Sequence, residues 1–128
     1  MTAAMGLLSR LLGNASEADI ADVEEYLEKI LADGEKVQRA FALVRDLFIF
    51  TDRRFIMVDK QGMTGMKTEF HSIPYRAIAR FSVETAGPTD LDSELRIWVS
   101  GSTAPIQKTF RRGSAIFEVQ QALATYCR

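Results

Sequence analysis

"LFIFTDRRFIMVD", Leu47 to Asp59, holds two short apolar runs on either side of Thr51-Asp52-Arg53. Phenylalanine, isoleucine and valine fill both runs, and aromatic and β-branched side chains suit a pleated backbone. Each run is short enough for a strand, and the polar Asp52-Arg53 pair separates them as a turn. This stretch makes the chain β-rich, and the flanking segments agree. Upstream, "KVQRAFALV" alternates, with Val37, Phe41 and Leu43 on one side and Arg39 joining them at the wet end. Arg45-Asp46 separates it from Leu47.

Downstream, Gln61-Gly62 and Thr64-Gly65 mark a turn, and "MKTEFHS" follows as far as Pro74. In "IARFSVETAG" the residues Phe81, Val83 and Thr85 share a face, and Gly87-Pro88 then breaks the chain. "SELRIWVSG" aligns Leu95, Ile97 and Val99, and "IQKTF" aligns Ile106 and Phe110. About seven short strands at regular spacing predict a small antiparallel β-sandwich or barrel over residues 36–112.

Helices flank the strands. Residues 16–34 predict a helix from about Glu17 to Ala32, with Ser16 and Asp19 resembling a capping box and Gly34 as the stop. Ile20, Val23, Leu27, Ile30 and Leu31 recur at spacings of three and four, so they form one apolar face. Residues 113–127 predict a closing helix from about Ser114 to Tyr126. Its stripe of Ile116, Val119, Leu123 and Tyr126 suits it to cover an open end of the barrel. Residues 1–128 then form one mainly β (α+β) domain, preceded within it by an apolar segment over 1–15.

The totals exclude several classes. At 128 residues the chain can bury roughly two-thirds of its unfolded surface, enough for one core. A formal net charge of -1 gives no basic excess for nucleic acid. One cysteine, Cys127, cannot close an internal disulfide, which fits a reducing compartment, and it stands too close to the end for a prenylation signal. The opening "MTAAMGLLSRLLGNAS" is interrupted by Arg10 and Gly13 and lacks a leading basic region, so it is no signal peptide or spanning helix. It reads as an apolar turn packing on the domain or a neighbouring subunit, with a weak membrane-surface anchor as the other reading. The expected location is cytoplasmic.

Charge is unevenly placed. Between Ser16 and Lys36 eight acids face Lys29 alone, a balance of -7, whereas Lys36 to Arg128 carries 14 bases and 9 acids, or +5. An acidic helix on a basic body invites contact between copies, set against the plainer reading of a solvated face.

The element order and several long stretches resemble the bacterial pleckstrin-homology (PH) domains. The likeness rests on "LFIFTDRRFIMVDKQGMTGMKTEFHSIPYRAIARFSVETAG", on "DLDSELRIWVSG", and on "LLGNAS" and the closing helix. It implies a seven-stranded PH-like barrel capped by a C-terminal helix, here with an extra N-terminal helix. It also implies ring-like homo-oligomers and no enzymatic activity. Eukaryotic relatives that bind phosphoinositides use clustered basic residues around the first strand loop. Here that loop is Arg45-Asp46, too short and too neutral, so phosphoinositide binding is not expected.

Candidate chemistry is sparse. In "EFHSIPY" the residues Glu69, His71 and Ser72 suggest a catalytic cluster, but strand alternation puts Ser72 opposite His71. With Phe70 as the natural core residue, Glu69 and His71 face solvent or a subunit contact, where the charge of His71 could make assembly pH-sensitive. The chain offers no catalytic residue, metal ligand set or cofactor motif: one His and one Cys supply no usual nitrogen–sulfur site. Asp90, Asp92 and Glu94 alternate, but no Gly-punctuated calcium loop surrounds them. Lys108, Arg111 and Arg112 with Ser114 at a helix start form the best small-anion candidate, or else meet acids of a neighbouring helix. Arg96 and Trp98 face outward from their strand, a pair typical of protein interfaces unless the first helix covers it. Glu24, Leu27 and Glu28 complete the candidate contact residues. The sequence thus points to a self-assembling, protein-binding module, with a membrane-peripheral or anion-binding module as the alternative.

Overall fold

The computed structural model describes residues 19–43, 46–61, 67–88, 92–111 and 115–128. Seven strands run in chain order: β1 (Val37–Ala42), β2 (Asp46–Thr51), β3 (Arg54–Gln61), β4 (Lys67–Pro74), β5 (Ile78–Glu84), β6 (Asp92–Val99) and β7 (Ile106–Arg111). They make a four-stranded antiparallel sheet, β1-β2-β3-β4, and a three-stranded one, β5-β6-β7. A single 3₁₀ turn, Tyr75–Ala77, carries the chain from one sheet to the other. Helix α1 is Ile20–Tyr26 and helix α2 is Ile116–Tyr126. The strand order and the capping helix expected from the sequence are present. Among the described residues, no helix is long and apolar enough to cross a membrane.

Strands β2 and β3 of the first sheet are buried on both faces, which explains why "LFIF" and "FIMV" are unbroken apolar runs. Alternate side chains of a strand point to opposite faces. Phe48, Phe50, Phe55 and Met57 enter the barrel interior, where they meet Leu95, Ile97 and Phe110 of the second sheet and Val119 and Leu123 of α2. Leu47, Ile49, Ile56 and Val58 face the other way, beneath Val23 of α1 and Leu27 at its C-terminal cap. An aromatic series runs through the interior: the Phe50 and Phe55 ring centroids are 4.8 Å apart, Phe50 and Tyr126 5.9 Å, and Tyr126 and Tyr75 5.6 Å. The last two contacts fasten α2 to the sheets.

Four expectations are corrected. The first helix is seven residues, not a run from Glu17 to Ala32, because polar contacts divert its continuation. Arg54 Nη2 donates to the Ile30 carbonyl at 2.8 Å, and the Ala32 N–H donates to Glu35 Oε1 at 2.9 Å. Gly34, at φ 79°, then turns the chain into β1, a left-handed conformation that costs glycine little. The cap is Asp19, whose Oδ1 accepts from the Asp22 N–H at 3.2 Å; Ser16 and Glu17 lie outside the described residues.

Val37 does not share a face with Phe41. Val37 pairs with Thr51 and Arg39 with Phe50, so the register shifts between them and Val37 turns to the α1 side. A bulge adds one residue to a strand and reverses the parity beyond it. Arg39 does join Phe41, with its guanidinium carbon 5.0 Å from the ring centroid.

Phe70 is not a core residue. It is 37% exposed, and Ile73 instead supplies the buried side chain of β4. Because Ile73 has odd parity, Glu69 and His71 share its barrel side, and Phe70 looks out beside Tyr26 with ring centroids 6.1 Å apart. Glu69 and His71 stay exposed all the same, since every residue of β4 from Lys67 to Ser72 is exposed. Leu27, finally, is fully buried under α1 and is packing rather than contact surface.

Candidate interaction surfaces

The hairpin turn at Asp52-Arg53 sets a register that places Asp46 opposite Asp59, and the next hairpin places Asp59 opposite Glu69. Three carboxylates therefore stand in one row across β2, β3 and β4. Lys108 reaches over from β7, with Nζ 3.4 Å from Asp46 Oδ2 and 3.9 Å from Asp59 Oδ2. This bridge ties the two sheets together at one corner. Burial pushes the Asp46 carboxyl above its ordinary range; Lys108 opposes the rise and Asp59 adds to it.

The bridge alters the anion site expected from sequence. Lys108 is committed to carboxylates and shares the inward side of β7 with Phe110. Arg111 has the opposite parity and is exposed, so these two cations are not brought together. Arg112 and Ser114 lie outside the described residues, as do Asp90 and the apolar segment over 1–15. Among the described residues, no group of His, Cys, Asp and Glu is arranged to hold a metal ion.

The outer face of the second sheet carries the Trp98 surface. Arg80 stands opposite Trp98, and its guanidinium lies over the indole, 4.3 Å from the centroid. Arg96 donates to Glu94 Oε1 at 2.7 Å, to Glu84 Oε1 at 3.4 Å and to Gln107 Oε1 at 3.3 Å. Helix α1 packs on the other sheet, so the cover over Trp98 is Arg80 rather than the first helix. Sequence reading missed Arg80; the pairing of β5 with β6 was the signal that would have found it.

Of the remaining candidates, Glu24 Oε2 accepts from the Val37 N–H at 3.0 Å and pins α1 to β1, while Glu28 is exposed. His71 is exposed on β4. Ser72 faces away from it and accepts from Arg54 Nη1 at 2.9 Å, so the two form no nucleophile–base pair.

Glu35, counted in sequence among surface acids, is the buried centre of a network. Its carboxylate takes Arg54 Nε and Nη2, each at 2.9 Å, the Thr51 hydroxyl at 2.6 Å and the Ala32 N–H. Burial alone would raise its carboxyl, but the hydrogen bonds from Arg54, Thr51 and Ala32 outweigh it and bring it down to about 2. The Tyr75 hydroxyl donates to the Thr51 carbonyl at 2.6 Å, continuing the network toward α2.

A barrel of two antiparallel sheets with a C-terminal helix has known counterparts. The family model described as Bacterial PH domain matches residues 6–127. The chain belongs to the bacterial PH domain family. It is 58% identical over 124 residues to the uncharacterized protein YjqA of Bacillus subtilis (strain 168), covering 96% of this chain and 99% of that one. Among solved structures it resembles a pleckstrin homology domain from Shewanella amazonensis SB2B, with TM-score 0.81 and 48% identity over 94% of this chain and 98% of the other. It also resembles a DUF1696 family protein with a pleckstrin-homology domain from Shewanella loihica PV-4, with TM-score 0.78 and 40% identity over 91% and 99%. This bacterial PH domain has the barrel of its relatives, and function has to be read from its own surfaces.

Proposed function

We propose that this bacterial PH domain is a non-enzymatic module that assembles into a homo-oligomer and offers the outer face of its second sheet to a protein partner. The observation that carries the reading is the Arg80–Trp98–Arg96 surface. Tryptophan and arginine dominate the energetics of protein interfaces, because each combines a large contact area with directed polar groups. Here the indole is already oriented by Arg80, and Arg96 is held by Glu84 and Glu94, so little side-chain freedom is lost on binding. The polar groups facing each other in this site form ion pairs rather than an acid–base–nucleophile chain, which favours recognition over chemistry.

The test of assembly is the mass of the purified protein by light scattering across a concentration series. A homo-oligomer is expected, and a monomeric mass at the highest concentration rejects it. The test of the binding face is affinity capture with wild-type protein and with Trp98→Ala as bait. A protein retained by the wild type and lost with the variant supports the face; identical retention by both rejects it.

A further inference from the structure

Two arginines flank Trp98, and their surroundings differ. Arg96, two residues back along β6, donates to Glu84, Glu94 and Gln107. Arg80, across on β5, meets no carboxylate among the described residues; its guanidinium lies over the indole, 4.3 Å from the centroid. Arg80 therefore has its charge oriented but not neutralised.

A second cation stands at the same corner. The Ala77 carbonyl accepts from the Ser100 N–H at 2.7 Å, so the 3₁₀ turn meets the end of β6 and brings Arg76 close to it. Arg76 and Arg80 are both exposed. The segments that build this corner, residues 74–80 and 98–106, hold two arginines and no acid.

The chemistry of the corner suits a carboxylate on a peptide. A guanidinium resting on an aromatic face keeps its N–H donors at its rim, where one carboxylate can take two at once. Stacking also orders the arginine beforehand, so little rotamer freedom is lost when the carboxylate arrives. The half-buried indole beside it offers apolar area to a neighbouring side chain of the same ligand. An anionic membrane is met by a polybasic cluster, and two arginines are few for that.

We propose that this corner binds an acidic peptide, with an aspartate or glutamate forked by Arg80, an adjacent apolar side chain laid on Trp98, and Arg76 adding positive charge. The inference rests on the protein-binding face proposed above and names the chemistry of its partner.

The probe is a fluorescein-labelled, glutamate-rich peptide carrying one phenylalanine, its anisotropy followed as full-length protein is added. Saturable binding that weakens with added salt is expected, and the same peptide with glutamine in place of glutamate should not bind. Arg80→Gln and Trp98→Ala should each raise the dissociation constant about tenfold or more. Arg80→Lys should recover little, because an ammonium cannot fork a carboxylate. Lys36→Gln removes the same charge from an exposed position just before β1 and should bind as the wild type does. No saturable binding, an equal loss with Lys36→Gln, or full recovery with Arg80→Lys overturns the acidic-peptide site. So does a protein that ignores this peptide and binds its phosphoserine counterpart or vesicles of anionic lipid. In each of these cases, a protein captured by the wild type and lost with Trp98→Ala still leaves the binding face standing and rejects only the chemistry assigned to it.

Discussion

The Glu35 carboxylate accepts two hydrogen bonds from one guanidinium, Nε and Nη2 of Arg54, each at 2.9 Å, with the acid side chain 1% exposed. The same arginine holds the Ile30 carbonyl and the Ser72 hydroxyl, so one side chain joins α1's trailing loop, β1's approach, β3 and β4. Arg54→Ala should leave the acid buried and unpaired and cost about 3 kcal/mol or more. Arg54→Lys should recover little of this, because an ammonium cannot make the forked contact. Urea unfolding of the three proteins measures both.

Acid should unfold the domain through Glu35. Its folded carboxyl sits at about 2 against an ordinary 4.5, so the unfolded chain takes up the proton first as pH falls. A depressed carboxyl contributes stability that is complete above about pH 5 and lost as pH falls toward 2. The shift corresponds to on the order of 3 kcal/mol. Unfolding free energy followed from pH 6 to pH 2 should fall steeply, and Glu35→Gln should flatten that slope.

Asp46 should behave in the opposite sense. Burial first, and Asp59 after it, hold its carboxyl above the ordinary range against the pull of Lys108. A raised carboxyl favours the folded state at low pH and loses that contribution as pH rises through its folded value. Asp46→Asn should therefore melt higher than wild type at pH 7, with the difference closing as pH drops below the usual carboxylate range.

Leu27 separates packing from contact. It is fully buried between α1 and the first sheet, so Leu27→Ala should cost about 2–5 kcal/mol in unfolding free energy. Below the melting transition its oligomer mass should match the wild type.

Trp98 is the single tryptophan, and Arg80 lies over it. Arg80→Gln should change the emission of the folded protein and cost about 0.5–1 kcal/mol, since a partly exposed cation–π contact is modest. An unchanged spectrum would show that the guanidinium does not sit over the indole in solution.

The hairpin stretch from Leu47 to Asp59 carried most of the fold in plain view. Two apolar runs around Asp52-Arg53 predict two strands joined by a turn, and the folded sheet then places Asp46, read in sequence as a separator, opposite Asp59. The surface was harder to read. Lys108 appeared to belong with Arg111 because they are close in sequence, yet period-two geometry sends them to opposite faces. Arg80 and Trp98 are far apart in sequence and meet through the pairing of β5 with β6.

Local pattern determined what forms: seven strands, a capping helix, and the apolar stripes each must bury. Those follow from side-chain period and turn chemistry, which act over a few residues. Tertiary structure decided which way each stripe faces. One extra residue at the bulge turned Val37 away from Phe41, and Ile73 rather than Phe70 took the core side of β4. It also turned Glu35 from one acid among eight into a buried anchor, because Arg54, Thr51 and the Ala32 amide converge on it from separate elements. A carboxylate enters a low-dielectric interior when such donors are already in place, and their convergence is a property of the folded chain alone.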